Sequence, residues 1–363
     1  MNPGISILLP VYNGEKFLEA AVASALAQTY KDFELVIVDD CSSDGSPALI
    51  ERLKKQDSRI KSFRNEKNLG LFANYNRCLE QASGEYIKPF AQDDILYPSA
   101  LSTMLSILSK DKSIALTSCA RNIIDADGQV VSKKCVFPQS RQLKGQDAVL
   151  YNMLALTNWI GEPSTVMFRK EYAGTGFDTT LFHYGDLDMW FRVLKHGNYY
   201  FIAEPLAGFR THAGSATNKN LSGLLFALDI ISMSQTYAQV LRETGVDDEL
   251  YKRCIAEYAA LQVDELVRKD GLTLEGVIEA ARKGSRIGIC SDEETALRMM
   301  DAFVGLSFHT LRALTHTLRD LSDVQCRLGS DKEYLSRRLQ HMEQSTSWRL
   351  TAPIRKLLSQ QKQ

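Results

Sequence analysis

Along the first third of the chain, short β-branched apolar runs alternate with segments whose apolar residues recur every three or four positions. That alternation predicts repeated βαβ units around a parallel sheet. Strands are expected at Ile5 to Pro10, Phe33 to Asp39, Ile60 to Arg64 and Glu85 to Phe90. Helices are expected over Glu15 to Gln28, with Asn13 as its cap; from Ser46, with Ser46 capping and Pro47 in the first turn; and over Leu71 to Ala82, stopped by Ser83 and Gly84. Right-handed crossovers point all four strand ends to one edge, the usual ligand side of an open α/β sheet. Asn13, the pair Asp39 and Asp40, and the run Gln92, Asp93 and Asp94 follow strand ends, so they are expected to share a crevice.

Beyond Pro98 the pattern is mixed: a helix to about Lys110, a strand near Ile114 to Thr117, irregular chain through Pro163, and a helix from near Asp188 to Gly197. The Gly, Ser, Thr and Asn-rich stretch from Ala213 to Gly223 reads as a linker, and the chain after it as almost wholly helical. From Leu311 through Leu314, Leu318 and Leu321 to Met342, spacings of three and four alternate, with Gln325 and Lys332 as polar interruptions. This heptad seam predicts a coiled coil able to self-associate. The expected organisation is an α/β catalytic domain over residues 1–215, a helical domain over 222–305, a coiled-coil helix over 306–345 and a basic amphipathic tail over 346–363.

Composition narrows the class without naming a function. A chain of 363 residues with 44% hydrophobic and 24% charged residues and a net charge of -1 is globular, and its charge gives no reason to expect a nucleic-acid partner. Seven scattered cysteines, never spaced Cys-x-x-Cys, fit a reducing compartment rather than a disulfide framework or zinc site. Without a signal-peptide pattern or a long apolar span, a cytoplasmic protein is expected. The end of the chain carries Arg349, Arg355, Lys356 and Lys362 among Trp348, Leu350, Ile354, Leu357 and Leu358, with no acid to offset them. Such a segment suits an anionic surface, so peripheral contact with the inner face of the cytoplasmic membrane is expected.

Paired acids at strand ends are costly by mutual repulsion unless a cation or hydrogen-bond donors compensate. A hard divalent ion held by one or two carboxylates and phosphate oxygens is one such compensation, and Asp93 and Asp94 have the position for it.

Several segments together resemble the opening of the family 2 inverting glycosyltransferases, which have the GT-A fold. They are ILLPVYNGE from Ile7 to Glu15, ALAQTY from Ala25 to Tyr30, FELVIVDDCSSDGS from Phe33 to Ser46, Asn68 to Gly70, Asn76, and GEYIKPFAQDD from Gly84 to Asp94. The likeness spans about residues 4 to 215. It implies transfer of a sugar from a nucleoside diphosphate donor, most simply a UDP-sugar, to an acceptor hydroxyl with Mg²⁺ or Mn²⁺. Pro10, Val11, Tyr12, Asn13 and Glu15 would lie at the nucleotide, Asp39 or Asp40 would accept from the base, and Asn68, Gly70 and Asn76 would complete that side. Of Asp93 and Asp94, one would contact ribose and the other the metal. Asp186 in GDLDMWFR would be the general base; Arg210 and His212 would face the diphosphate, His212 as a further metal ligand; and Glu162 would face a sugar. Three positions depart from the family pattern: Ala91 for an Asp, Tyr75 for an Arg, and Gly185 for a Glu. The tail after Ser345 resembles a terminal motif of bacterial surface-polysaccharide enzymes, which implies a glycan or lipid-linked glycan acceptor. The competing reading is a catalytically inactive nucleotide-binding scaffold for a glycan assembly complex.

Overall fold

A computed structural model of the chain describes residues 3–155, 158–212, 225–237 and 239–240. The described parts of 1–149 and 158–215 form one compact unit; those of 150–157 and beyond 216 belong to a second. Most of the expected helical domain and all of the expected coiled coil and basic tail lie outside the described residues. No helix among the described residues is long and apolar enough to cross a membrane.

The first unit begins with β1 (Ile5–Val11), α1 (Glu15–Leu26), β2 (Phe33–Asp39), α2 (Ser46–Gln56), β3 (Ile60–Arg64), α3 (Leu71–Gln81) and β4 (Tyr86–Pro89). Next come β5 (Ile95–Leu96), α4 (Ala100–Lys110), β6 (Ile114–Ile124), β7 (Val130–Lys134), β8 (Arg141–Leu143) and α5 (Gly145–Ala155), the last running on into residues of the second unit. A 3₁₀ turn at Pro163–Thr165, β9 (Val166–Arg169), α6 (Gly185–Leu194) and β10 (Asn198–Arg210) complete the first unit. The second contributes α7 (Leu225–Thr236).

The sheet order is β3-β2-β1-β4-β9-β6-β10-β5, with β7 on β6 and β8 on β10. β1 pairs in parallel with β2 and β4, and β2 with β3. β9 is antiparallel to both β4 and β6, while β10 is parallel to β6. The ends of β1, β2, β4, β6 and β10 therefore reach one edge, and the turn that precedes β9 meets them there. Every residue of β1 and β2 is buried, as expected of strands covered on both faces. Ile5, Ile7, Leu9 and Val11 share a core with Leu18 and Val22 of α1 and with Leu101 and Met104 of α4. On the other face α3 packs against β1 and β2, and α6 against β6.

The βαβ elements fall where their periodicity predicts, but later ones do not. The stretch expected to be irregular holds β7, β8 and α5; β6 runs on to Ile124; and neither β9 nor β10 carries a sequence signal strong enough to have been expected. β10 contains Pro205, a strand breaker in the middle of a sheet, and accommodates it with register shifts around that residue. Two caps also differ. Gly14 and Gly45, not Asn13 and Ser46, occupy the cap positions of α1 and α2, because both side chains are committed across the loops.

Gly84 lies where the α3–β4 turn crosses the start of β1. A Cβ there would stand 2.6 Å from the Ser6 nitrogen and 2.7 Å from the Ile5 carbonyl carbon, both backbone atoms. Gly84→Ala is expected to cost about 1–3 kcal/mol in urea unfolding; an unchanged midpoint would refute the close approach.

Candidate active site

The loops that follow β1 and β2 are stitched together by side chains. Asn13, in the left-handed region at φ 47°, accepts from the Ser43 amide at 2.9 Å, and its own amide donates to Ser42 Oγ at 2.9 Å. The Gly14 amide donates to Ser46 Oγ, and the Gly45 amide to Glu15 Oε2, each at 2.9 Å. Asn13 and Glu15, expected at the nucleotide, thus hold the neighbouring loop. Pro10 and Val11 are buried in the strand, whereas the Tyr12 ring projects, 47% exposed. The Tyr12 backbone is paired with the Gln92 carboxamide, which joins the β1 end to the acidic loop after β4.

The protein compensates Asp39 and Asp40 itself. Asp39 pairs with Arg64 at 2.8 Å and accepts from the Ser42 amide. Asp40 accepts from the Leu69 and Gly70 amides and from Asn65, at 2.8–2.9 Å. Gly70 also donates to Asn68 Oδ1, and its φ of 89° is readily available to glycine. These carboxylates therefore shape the β3–α3 loop as well as lining a strand edge. Both ends of the Asn76 carboxamide pair with the Phe177 backbone, at 2.7 and 2.8 Å, so it pins that loop.

Asp93 and Asp94 are less completely satisfied. Asp94 is buried; one oxygen accepts from the Arg210 amide at 2.8 Å and the other has no hydrogen-bond partner among the described residues. Burial, then the charge of Asp93, pushes the Asp94 carboxyl up to about 8, against the Ser164 hydroxyl and the Arg210 amide, which favour the ionised form. Asp93 Oδ2 lies 2.8 Å from His212 Nε2. The Arg210 guanidinium donates to the carbonyls of Asp93, Asp125 and Ala126 and lies over the Phe17 ring. Expected to face a diphosphate, it secures the acidic loop to the ends of β6 and β10.

Asp186, in the first turn of α6, is buried and accepts from Asn158 Nδ2 at 3.2 Å. Asn158 also brackets Gly161 through both its amide and its carbonyl, and Trp190 Nε1 donates to the Gly161 carbonyl at 3.0 Å. No motif marked Asn158; only the folded loop shows its link to Asp186. Glu162, beside that loop, pairs with Arg121 at 2.6 Å. The missing acid at Gly185 has a steric reason, since a Cβ there would stand 2.5 Å from the Phe72 ring. At the departure Tyr75, the buried hydroxyl donates to the Phe90 carbonyl at 3.2 Å, and burial pushes its pKa well above the ordinary value, with the charges of Cys78, Asp94, Asp186 and Asp93 adding to the rise.

A family model described as Glycosyl transferase family 2 matches residues 6–177. The putative teichuronic acid biosynthesis glycosyltransferase TuaG of Bacillus subtilis is 31% identical over 57% of this chain and 79% of its own length. The chain belongs to glycosyl transferase family 2. Another relative of this glycosyltransferase is the GalNAc(5)-diNAcBac-PP-undecaprenol beta-1,3-glucosyltransferase of Campylobacter jejuni, 28% identical over 54% of this chain and 62% of that one. In fold the chain is similar to the crystal structure of S. aureus TarS 1-349 in complex with UDP-GlcNAc, with TM-score 0.58, 16% identity, and coverage of 88% and 92%. The transferase thus has an α/β, GT-A catalytic fold on a mostly parallel mixed sheet.

Family 2 enzymes commonly use a divalent ion. Among the described residues, no three His, Cys, Asp or Glu side chains form a self-sufficient metal cage. The donor set nevertheless fits Mg²⁺ or Mn²⁺, which take one or two carboxylates and complete their shell from phosphates and water. The unpartnered Asp94 oxygen, beside Asp93 and its His212 neighbour, is what such an ion would satisfy.

Two outcomes follow for this transferase. Gly185→Glu is expected to lose about 1–3 kcal/mol against Phe72 in urea unfolding, without a gain in turnover; a stable, faster variant would refute the steric account. Because the folded pKa of Asp94 is raised, its penalty is absent below about 3.8 and grows as pH rises to about 8. In metal-free protein the melting temperature of Asp94→Asn should therefore gain on wild type across that window and run parallel above it. A constant offset at every pH would contradict the shift.

Proposed function

We propose that this glycosyltransferase moves a sugar, with inversion, from a UDP-sugar to a hydroxyl of a lipid-linked glycan in bacterial surface-polysaccharide assembly. The supporting observation is that one segment, residues 158–164, touches both acidic centres: Asn158 donates to Asp186 at 3.2 Å, and Ser164 Oγ accepts from the Ala91 amide of the Asp93–Asp94 loop at 3.0 Å. In this reading Asp94 and Asp93, with His212, hold a Mg²⁺ or Mn²⁺ ion. When bound, the ion supplies charge neutralisation for the departing diphosphate. Tyr12 offers an exposed ring to the nucleobase beside Asp39, and Asp40 keeps the adjoining loop in shape.

Asp186 takes the proton of the acceptor hydroxyl as the new carbon–oxygen bond forms and the bond to the diphosphate oxygen breaks. Asn158 fixes the direction in which that carboxylate points. Glu162 and Arg121 flank the sugar. Support for the acceptor class comes from the relatives named for teichuronic acid biosynthesis and for an undecaprenol-linked glycan. A basic tail over 346–363 attaches the enzyme to the membrane that carries such an acceptor, after a coiled coil over 306–345 that pairs copies of the chain.

A panel of nucleoside diphosphate sugars, screened by thermal shift with Mn²⁺ and again with EDTA, should single out a UDP-sugar that stabilises only with the ion. Stabilisation by no member would reject the donor reading. Asp186→Asn should lower turnover about 10²–10⁴-fold while UDP still binds; wild-type turnover would remove Asp186 from the base role. Nucleotide binding without turnover by any donor and acceptor would favour the inactive scaffold. For the tail, truncation before Ser345 should abolish cosedimentation with anionic liposomes, and equal binding would reject its role.

A further inference from the structure

Lys88 is a buried cation with no carboxylate bonded to it among the described residues. It sits in β4 at 0% exposure, and its ammonium donates to the carbonyls of Pro89 at 2.7 Å, Ser164 at 2.8 Å and Pro163 at 3.2 Å. Three protons meet three acceptors, which offsets much of the cost of burying the charge. The sequence explains why acceptors gather there. The ladder between β4 and β9 covers only Tyr86 with Arg169 and Ile87 with Phe168, and the chains then separate. Pro89 and Pro163 stand beyond the split, and neither has an N–H to donate. Lys88 supplies the missing donors at the point where the sheet opens toward the acidic loop.

The consequence reaches that loop through Ser164. Its backbone carbonyl is held by Lys88, and its hydroxyl accepts from the Ala91 amide at 3.0 Å, while the Ala91 carbonyl accepts from the Asp94 amide at 3.4 Å. We infer that Lys88 is a positioning residue: through the Pro163–Thr165 turn and the Ser164 hydroxyl, it sets the geometry of the Asp93–Asp94 loop for a divalent ion and nucleoside diphosphate. The inference rests on the donor-site reading given above. Burial pulls the Lys88 ammonium down to about 7, with charges on Cys119 and Asp94 opposing it, as for a cation kept inside without a direct counterion.

The test compares full-length wild type, Lys88→Met, which keeps length and burial but removes charge and donors, and Ser164→Ala, which cuts only the downstream link. Ligand-free hydrogen exchange should quicken in peptides carrying residues 91–94 in both variants, and in those carrying 162–166 in Lys88→Met, with the rest of the sheet unchanged. Calorimetric titration with UDP and Mn²⁺ should show affinity lowered about 10- to 100-fold by either change. The double variant should be no weaker than Lys88→Met, because both act along one path. Wild-type exchange in the loop, acceleration spread evenly over the sheet, or fully additive affinity losses would overturn the inference. Should Lys88→Met fail to fold, Ser164→Ala decides: unaltered loop exchange and UDP–Mn²⁺ affinity would overturn it. A wild type that binds no nucleoside diphosphate with Mn²⁺ would defeat the donor-site reading alone, while the exchange comparison would still judge whether Lys88 positions the loop.

Discussion

The hydrogen bond from the Arg210 amide to Asp94 ties the acidic loop after β4 to the end of β10, 116 residues on, and much of the site edge is organised around it. It extends the short antiparallel pairing of β5 with β10, so the loop that leaves the regular βαβ half of the sheet is anchored to the irregular half. The Arg210 side chain extends the same clasp to the Asp93 carbonyl and to the turn after β6. His212 then meets Asp93 because its strand runs parallel to β6 and ends at the same rim. Since β9 runs the other way, the turn carrying Glu162 and Ser164 arrives at that rim as well.

Two acidic pairs show how differently the same composition is used. Asp39 and Asp40 are met by a guanidinium, backbone amides and an asparagine, so their repulsion is relieved within the protein. Asp93 and Asp94 receive fewer donors, and one Asp94 oxygen is buried with none among the described residues. A carboxyl held up to about 8 by burial and a neighbouring charge is costly to keep in a folded protein. Such a cost belongs where a ligand relieves it.

Local substitutions in the family pattern have physical explanations here. Gly185 leaves space for the Phe72 ring, where a side chain would collide, and Asn158 reaches across to Asp186 from another loop. Tyr75, in place of a charged residue, is fully packed and spends its hydroxyl on the Phe90 carbonyl. This edge therefore holds fewer charged side chains and more backbone contacts than the motifs alone imply.

What the sequence by itself determined is the parallel half of the fold and the acids at its strand ends. Continuous apolar runs and amphipathic helices are local signals, and β1 to β4 with α1 to α3 obey them. Tertiary structure decided the rest. β10 forms despite Pro205 because β6 and β8 flank it, and β9 is a four-residue strand held between two neighbours. Neither state is written in a window of sequence. Likewise Asn13, Asn76 and Arg210 are polar residues in a binding-site pattern, yet their partners lie about 30 to 100 residues away, and only the folded chain shows that hydrogen bonding has claimed them.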